Sequence, residues 1–165
     1  MNIRNAERCY IVAEIGVNHG GSVDLAYSMI DAAKRSGADA VKFQTFKASS
    51  LVGLDTPKVT YQISTTDKKQ SHFEMIQSLE FKYEDHKPVF KYCQEHEIDF
   101  ISTPYDVESA MFLHDLGIQI FKTASADIVD LPLHEFLAST GKNVIISTGM
   151  ATLGEIEKVV SIYQK

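Results

Sequence analysis

Apolar residues recur along this chain in two alternating rhythms. Short runs with apolar centres occur at Tyr10–Gly16, Ala40–Gln44, Asp99–Thr103, Ile118–Phe121 and Asn143–Ser147. Runs of that length are what strands buried on both faces of a parallel sheet require. Between them the spacing lengthens to three and four, as in Leu25, Met29, Ile30 and Ala33, or Ala110, Leu113 and Leu116. This spacing predicts amphipathic helices. Further helices are predicted around Phe73–Leu79, over Glu84–Glu97 with Pro88 tolerable only in the first turn, and over Leu131–Ser139 with Pro132 in its first turn. A last helix is opened by the capping box Thr152-Leu153-Gly154-Glu155. Ser22 or Asp24 and Asp106 are candidate N-caps, and Gly37, Gly117 and Gly141 each stand shortly before the next strand. From Phe46 to about Gln70 periodicity is lost, which predicts a long loop of the kind that forms lids or substrate contacts.

Strand then helix, five times over, predicts right-handed βαβ units and a parallel sheet. Two architectures satisfy that pattern: a doubly wound open sheet, or part of a (β/α)8 barrel. No glycine-rich dinucleotide fingerprint follows the first strand, which weighs against the nucleotide-binding version of the former.

Composition narrows the field. A chain of 165 residues, 44% hydrophobic and 23% charged, suits one domain with a real core. The net charge of −6 and the lack of basic–aromatic runs argue against nucleic acid as a partner. Cys9 and Cys93 lie far apart with no sulfur ligand nearby, so neither a disulfide framework nor a zinc site is indicated. With no signal peptide and no apolar run near ~20 residues, a cytoplasmic, membrane-free protein is expected.

Chemistry collects at the strand ends. There the chain places Glu14, then Lys42 with Gln44, then Ser102-Thr103, then Lys122 with Ser125 and Asp127, then Ser147-Thr148. Each has an ordinary explanation, since hydroxyls form turns and the acids can pair with the lysines. In parallel α/β folds, however, this edge is where ligands bind. Two lysines and several hydroxyls converging there suit an anionic, phosphorylated small molecule, and the carboxylates can move protons. The residues alone do not name the ligand.

The motifs carry a resemblance. Ala13-Glu14-Ile15-Gly16-Val17-Asn18-His19-Gly20-Gly21 resembles the opening signature of the sialic acid synthase family. Gly37-Ala38-Asp39-Ala40-Val41-Lys42-Phe43-Gln44-Thr45, Ser102-Thr103-Pro104-Tyr105-Asp106, Phe121–Asp127 and Ile146-Ser147-Thr148-Gly149-Met150 resemble four more of its blocks, in order. The similarity is strongest to the bacterial synthases of N-acetylneuraminate, legionaminate and pseudaminate. It implies a (β/α)8 barrel of the TIM type, of which residues 1–165 would form the N-terminal five units, with the later strands and a substrate-clamping domain absent. It further implies condensation of phosphoenolpyruvate with an N-acetylated mannose-type sugar to give a nonulosonic acid and phosphate. Carried to matching positions, Lys42, Thr103, Lys122, Ser125 and Ser147 would hold phosphoenolpyruvate. Glu14, Gln44 and Asp127 would stand at the reacting centre, Asp127 where many members carry a longer glutamate. A divalent metal, Mn or Mg, is implied as a Lewis acid on the acceptor aldehyde, with histidine ligands on later strands. His72, His86, His96, His114 and His134 match neither metal motif. A homodimer is implied for the full-length family. Two other readings remain open: a non-catalytic half-barrel that binds or scaffolds a partner, and another phosphoenolpyruvate-dependent aldol-type synthase, for which the excess of acid is unfavourable.

Overall fold

Each apolar run becomes a strand, and the strands pair in the order in which they are made. The structure, a computed structural model, describes residues 9–58 and 70–164. Strands β1 (Val12–Gly16), β2 (Ala40–Thr45), β3 (Asp99–Pro104), β4 (Ile120–Thr123) and β5 (Asn143–Ile146) form one five-stranded sheet in the order β1-β2-β3-β4-β5. All four pairings are parallel. Helices alternate with them: α1 (Val23–Arg35), the single turn α2 (Ala48–Leu51), α3 (His72–Leu79), α4 (Tyr83–Glu95), α5 (Val107–Leu116), α6 (Leu131–Ser139) and α7 (Leu153–Tyr163).

This order decides between the two architectures. A doubly wound sheet reverses its strand order and carries helices on both faces. Here the order never reverses, and the main core packs α1, α4, α5 and α6 onto one face through Ile30, Val89, Cys93, Ala110, Leu113 and Leu133. The strands meet them with Val41, Phe43, Phe100 and Phe121. Among the described residues the other face carries a small apolar layer, Ala40, Ile101 and Ile120, with Tyr10 and Val12 packed against it. The arrangement is that of consecutive units of a (β/α) barrel: helices outside, layered side chains inside. Among the described residues the sheet does not close, so β1 and β5 are its edges.

Local signals place the helices. The Ser22 hydroxyl accepts from the Leu25 amide at 3.2 Å, and Asp106 accepts from the Ser109 amide at 2.6 Å, so both helices start on side-chain caps. Thr152 and Glu155 form the expected reciprocal capping box. Three expectations need correction. The stretch after Phe46 contains α2, a turn too short for any periodicity to announce; the rest of that loop, residues 59–69, lies outside the described residues. β4 takes in Lys122 and Thr123 instead of ending at Phe121. Pro88 is the sixth residue of α4, in its second turn and not its first. Its missing N–H leaves the Glu84 carbonyl without its i+4 donor, but Glu84 and Pro88 are both exposed, so water can serve that oxygen.

Behind the upper end of β2 a buried polar chain ties helix to sheet. The Thr45 hydroxyl lies 2.8 Å from His86 Nε2 and 2.7 Å from the Ser102 hydroxyl, while His86 Nδ1 is 2.9 Å from the Lys82 carbonyl. Only one assignment satisfies all three groups: His86 Nδ1–H donates to Lys82, Thr45 donates to Nε2, and Ser102 donates to Thr45. Burial holds the His86 imidazole neutral, with its pKa lowered to about 4. Thr45→Val keeps the shape and strands two buried polar atoms. It is expected to destabilise the fold by about 2 kcal/mol, read from urea unfolding, whereas a loss under ~0.5 kcal/mol would mean that water replaces the hydroxyl.

Candidate active site

A parallel strand alternates its side chains between faces, so residues sharing the inner face can be read from the register. Glu14 pairs with Lys42 across β1 and β2, Gln44 with Thr103 across β2 and β3, and Lys122 with Ile145 across β4 and β5. Above the small layer of Ala40, Ile101 and Ile120, the inner face therefore turns polar at the C-terminal ends of the strands.

Lys42 is the centre of the first half. Only 9% of its side chain is exposed; its ammonium lies 2.7 Å from Glu14 Oε2 and donates to the Thr103 hydroxyl at 3.4 Å. A buried ammonium needs such partners; the register sets Glu14 directly opposite Lys42, and Thr103 two residues beyond its other partner, Ile101. Glu14 is shared with a second neighbour. β1 shifts register between Glu14 and Gly16, and Gly16 takes φ +57°. A Cβ there would stand 3.3 Å from Glu14 Oε1 and 3.7 Å from Gln44 Nε2. Glycine thus lets the strand turn away while Glu14 and Gln44 stay close beside it.

Lys122 is the centre of the second half. Its ammonium donates to the Ser147 hydroxyl at 2.7 Å and to the Thr123 carbonyl at 3.3 Å. Both acceptors are neutral. Burial lowers the Lys122 pKa, the charge of Lys42 lowers it further, and Glu14 and Asp127 oppose the shift. The two lysines are thus close enough to act on one another, and among the described residues only Lys42 has an ion pair, with Glu14.

After β4 the chain enters a short 3-10 turn, Ser125–Val129. Asp127 Oδ2 accepts from the Ala124 amide at 3.1 Å, which pins the carboxylate at the rim. Burial raises the Asp127 pKa to about 6, assisted by the charge of Asp130 and opposed by the Ala124 amide and Lys122. Ser125 is half-buried at the start of the same turn; among the described residues its hydroxyl makes no hydrogen bond to either lysine.

The structure therefore gathers Glu14, Lys42, Gln44 and Thr103 into one group and joins Lys122 to Ser147. It holds Asp127 nearby and brings Ser125 to the rim without a direct partner. One further rim residue went unassigned in the sequence. Tyr105 directly follows Thr103-Pro104, its amide donates to the Thr45 carbonyl at 3.1 Å, and its ring meets Phe46 edge-on at 6.0 Å. Burial pushes its hydroxyl pKa up to about 12, with Asp127 and Glu14 adding to the shift. Its signal in the sequence was only its place in the Ser102–Asp106 block. Among the described residues no group of three or more His, Cys, Asp or Glu side chains could hold a metal ion. Two histidines are committed elsewhere, His86 as above and His134 with its Nδ1 3.0 Å from the Tyr163 hydroxyl. No described helix is long and apolar enough to cross a membrane.

Set beside known proteins, the chain matches the NeuB family over residues 29–165. It is 42% identical over 159 residues to the N,N'-diacetyllegionaminic acid synthase of Campylobacter jejuni, a match covering 96% of this chain and 48% of that protein. It is 41% identical over 152 residues to the enzyme of the same name from Legionella pneumophila, covering 92% of this chain and 43% of that one. The crystal structure of the N-acetylneuraminic acid (sialic acid) synthetase of Leptospira borgpetersenii superposes with a TM-score of 0.84 at 32% identity, over 99% of this chain and 54% of that one. The chain spans about half the length of the curated relatives it matches.

Proposed function

The chain belongs to the NeuB family, and from that premise we propose that it carries the phosphoenolpyruvate half of the active site of a nonulosonic acid synthase. The observation that carries the reading is the pair of inward lysines: Lys42 with one carboxylate partner, and Lys122 donating to neutral oxygens alone. Among the described residues only Lys42 of the two is ion-paired, so the Lys122 ammonium is left to pair with an incoming anion, which a phosphorylated carboxylate supplies.

In this reading Lys42, Thr103, Lys122, Ser125 and Ser147 bind the phosphate and carboxylate oxygens of phosphoenolpyruvate. C3 of the enolpyruvate attacks the aldehyde carbon of an open-chain, N-acetylated mannose-type sugar. A carbon–carbon bond forms between those atoms as the C2=C3 double bond opens and the aldehyde oxygen takes up a proton. Water adds at C2 and gives up a proton, and the C2–O bond to phosphorus breaks, releasing inorganic phosphate and leaving a C2 carbonyl. Glu14 and Gln44 flank the reacting carbons. Asp127, poised near neutral pH, accepts the proton that an attacking hydroxyl or water gives up. Among the described residues no group of three or more His, Cys, Asp or Glu fits the divalent metal implied by the family, whose ligands would lie on the later strands; bound there, it would polarise the acceptor aldehyde. The complete activity is a property proposed for a polypeptide of the relatives' length.

The test is phosphate release from phosphoenolpyruvate plus N-acetylmannosamine and Mn²⁺, comparing residues 1–165 with a form extended to the relatives' length. Turnover by the extended form supports the reading. No turnover by it with any mannose-type acceptor removes the reading.

A further inference from the structure

Tyr105 is the rim residue whose polar atom has no stated use. Its backbone is held by the Thr45 carbonyl, itself on the residue that ties β2 to Ser102 and His86, so the anchor is rigid. Its ring is held edge-on by Phe46 at an interplanar angle of 86°. The ring therefore has little freedom, and its direction is set by two independent contacts. The side chain is half-buried, and among the described residues its hydroxyl has no hydrogen-bond partner. It is not one of the buried polar atoms left without a partner, so it is open to solvent or to a ligand. Tyr105 directly follows β3, whose Thr103 is bonded to Lys42, and its amide is held at the end of β2, so it belongs to the rim of the site; Glu14 on β1 and Asp127 in the turn after β4 both act on its hydroxyl. The lysines lie deeper, on the strands themselves, with their own hydroxyl partners.

We propose that Tyr105 is a specificity-determining residue, its hydroxyl donating a hydrogen bond to an oxygen of the acceptor sugar above the enolpyruvate site. This rests on the synthase reading given above. Burial, with Asp127 and Glu14, keeps the hydroxyl protonated at any working pH, so it can offer hydrogen to a sugar hydroxyl or carbonyl oxygen.

Tyr105→Phe keeps the ring against Phe46 and removes only the donor. In the full-length enzyme it is expected to raise the acceptor KM about tenfold, the worth of one hydrogen bond. The phosphoenolpyruvate KM should stay within about twofold, the melting temperature should not move, and the pH profile should keep its shape. An unchanged acceptor KM overturns the proposal. So does a displaced acid limb at constant acceptor KM, which would mean that the hydroxyl serves Asp127 instead. A parallel rise in both KM values with a lower melting temperature assigns Tyr105 to packing and overturns it too. Absence of turnover by the wild type removes the synthase reading and this proposal together, whereas wild-type turnover with an indifferent Tyr105→Phe removes this proposal alone.

Discussion

Lys122→Ala is expected to raise the KM for phosphoenolpyruvate by about a hundredfold in the full-length enzyme while changing the acceptor KM little. The size follows from the bond that is lost. A charge-assisted hydrogen bond contributes roughly 1.5–3 kcal/mol, and a lysine half-removed from water sits at the upper end of that range. The direction of the accompanying stability change separates a binding role from a structural one. Burial and Lys42 lower the folded pKa of Lys122, so its charged form is disfavoured by folding. A lysine with a lowered folded pKa contributes stability only at pH above its unfolded value, and that contribution is lost as pH falls through the folded value. At neutral pH the charge is therefore a burden on the fold. Removing it should leave the melting temperature level or higher even as affinity collapses. A fall of several degrees in the melting temperature, or equal losses for both substrates, would place Lys122 in a structural role.

The same contrast explains why the site is legible in the sequence at all. Lys42, Lys122, Glu14 and Thr103 interrupt runs that would otherwise be apolar, and a strand covered on both faces has no cheap place for them. The polar face is readable because the side-chain period is two: Lys42 and Gln44 share the inner face while Phe43 joins the helix-side core. What the sequence does not show is pairing across distance. Nothing marks His86 as the partner of Thr45, 41 residues earlier, because a histidine at helical spacing with Val89 and Cys93 reads as packing. Helix α2 is a single turn, below the length at which periodicity speaks. Tyr105 follows a proline at a strand end, where an aromatic residue is unremarkable until Phe46 and Thr45 are seen to hold it. Local pattern thus carried the elements and the inward polar residues, and tertiary contact carried the supports behind them. The choice between an open doubly wound sheet and a barrel segment also lay beyond pattern. Both have the same strand–helix alternation, and only strand order separates them.

Asp127→Asn is expected to produce the largest kinetic loss, about a thousandfold in kcat, the scale of a positioned general base. The loss should fall on kcat and not on the phosphoenolpyruvate KM, because the carboxylate opposes rather than aids an anion. In the wild type, kcat/KM should decline below pH about 6 with the slope of one proton, since the carboxylate form accepts the proton and is lost there. That limb should vanish in the variant. Stability should move the other way. The folded pKa of Asp127 is raised, so its contribution is fully present below the unfolded value and disappears as pH climbs through about 6. At pH 7.5 the wild type bears a half-buried charge that asparagine removes, while the amide oxygen can still accept from the Ala124 backbone. After allowance for solvent screening, the variant should be more stable there by about 1 kcal/mol, or roughly 2–4 °C in melting temperature. At pH 4 the two proteins should melt together. A variant that is slower and less stable at pH 7.5 would make Asp127 a cap of its 3-10 turn and nothing more. One that is slower and more stable there leaves a carboxylate held against its own solvation because the reaction requires it at that place.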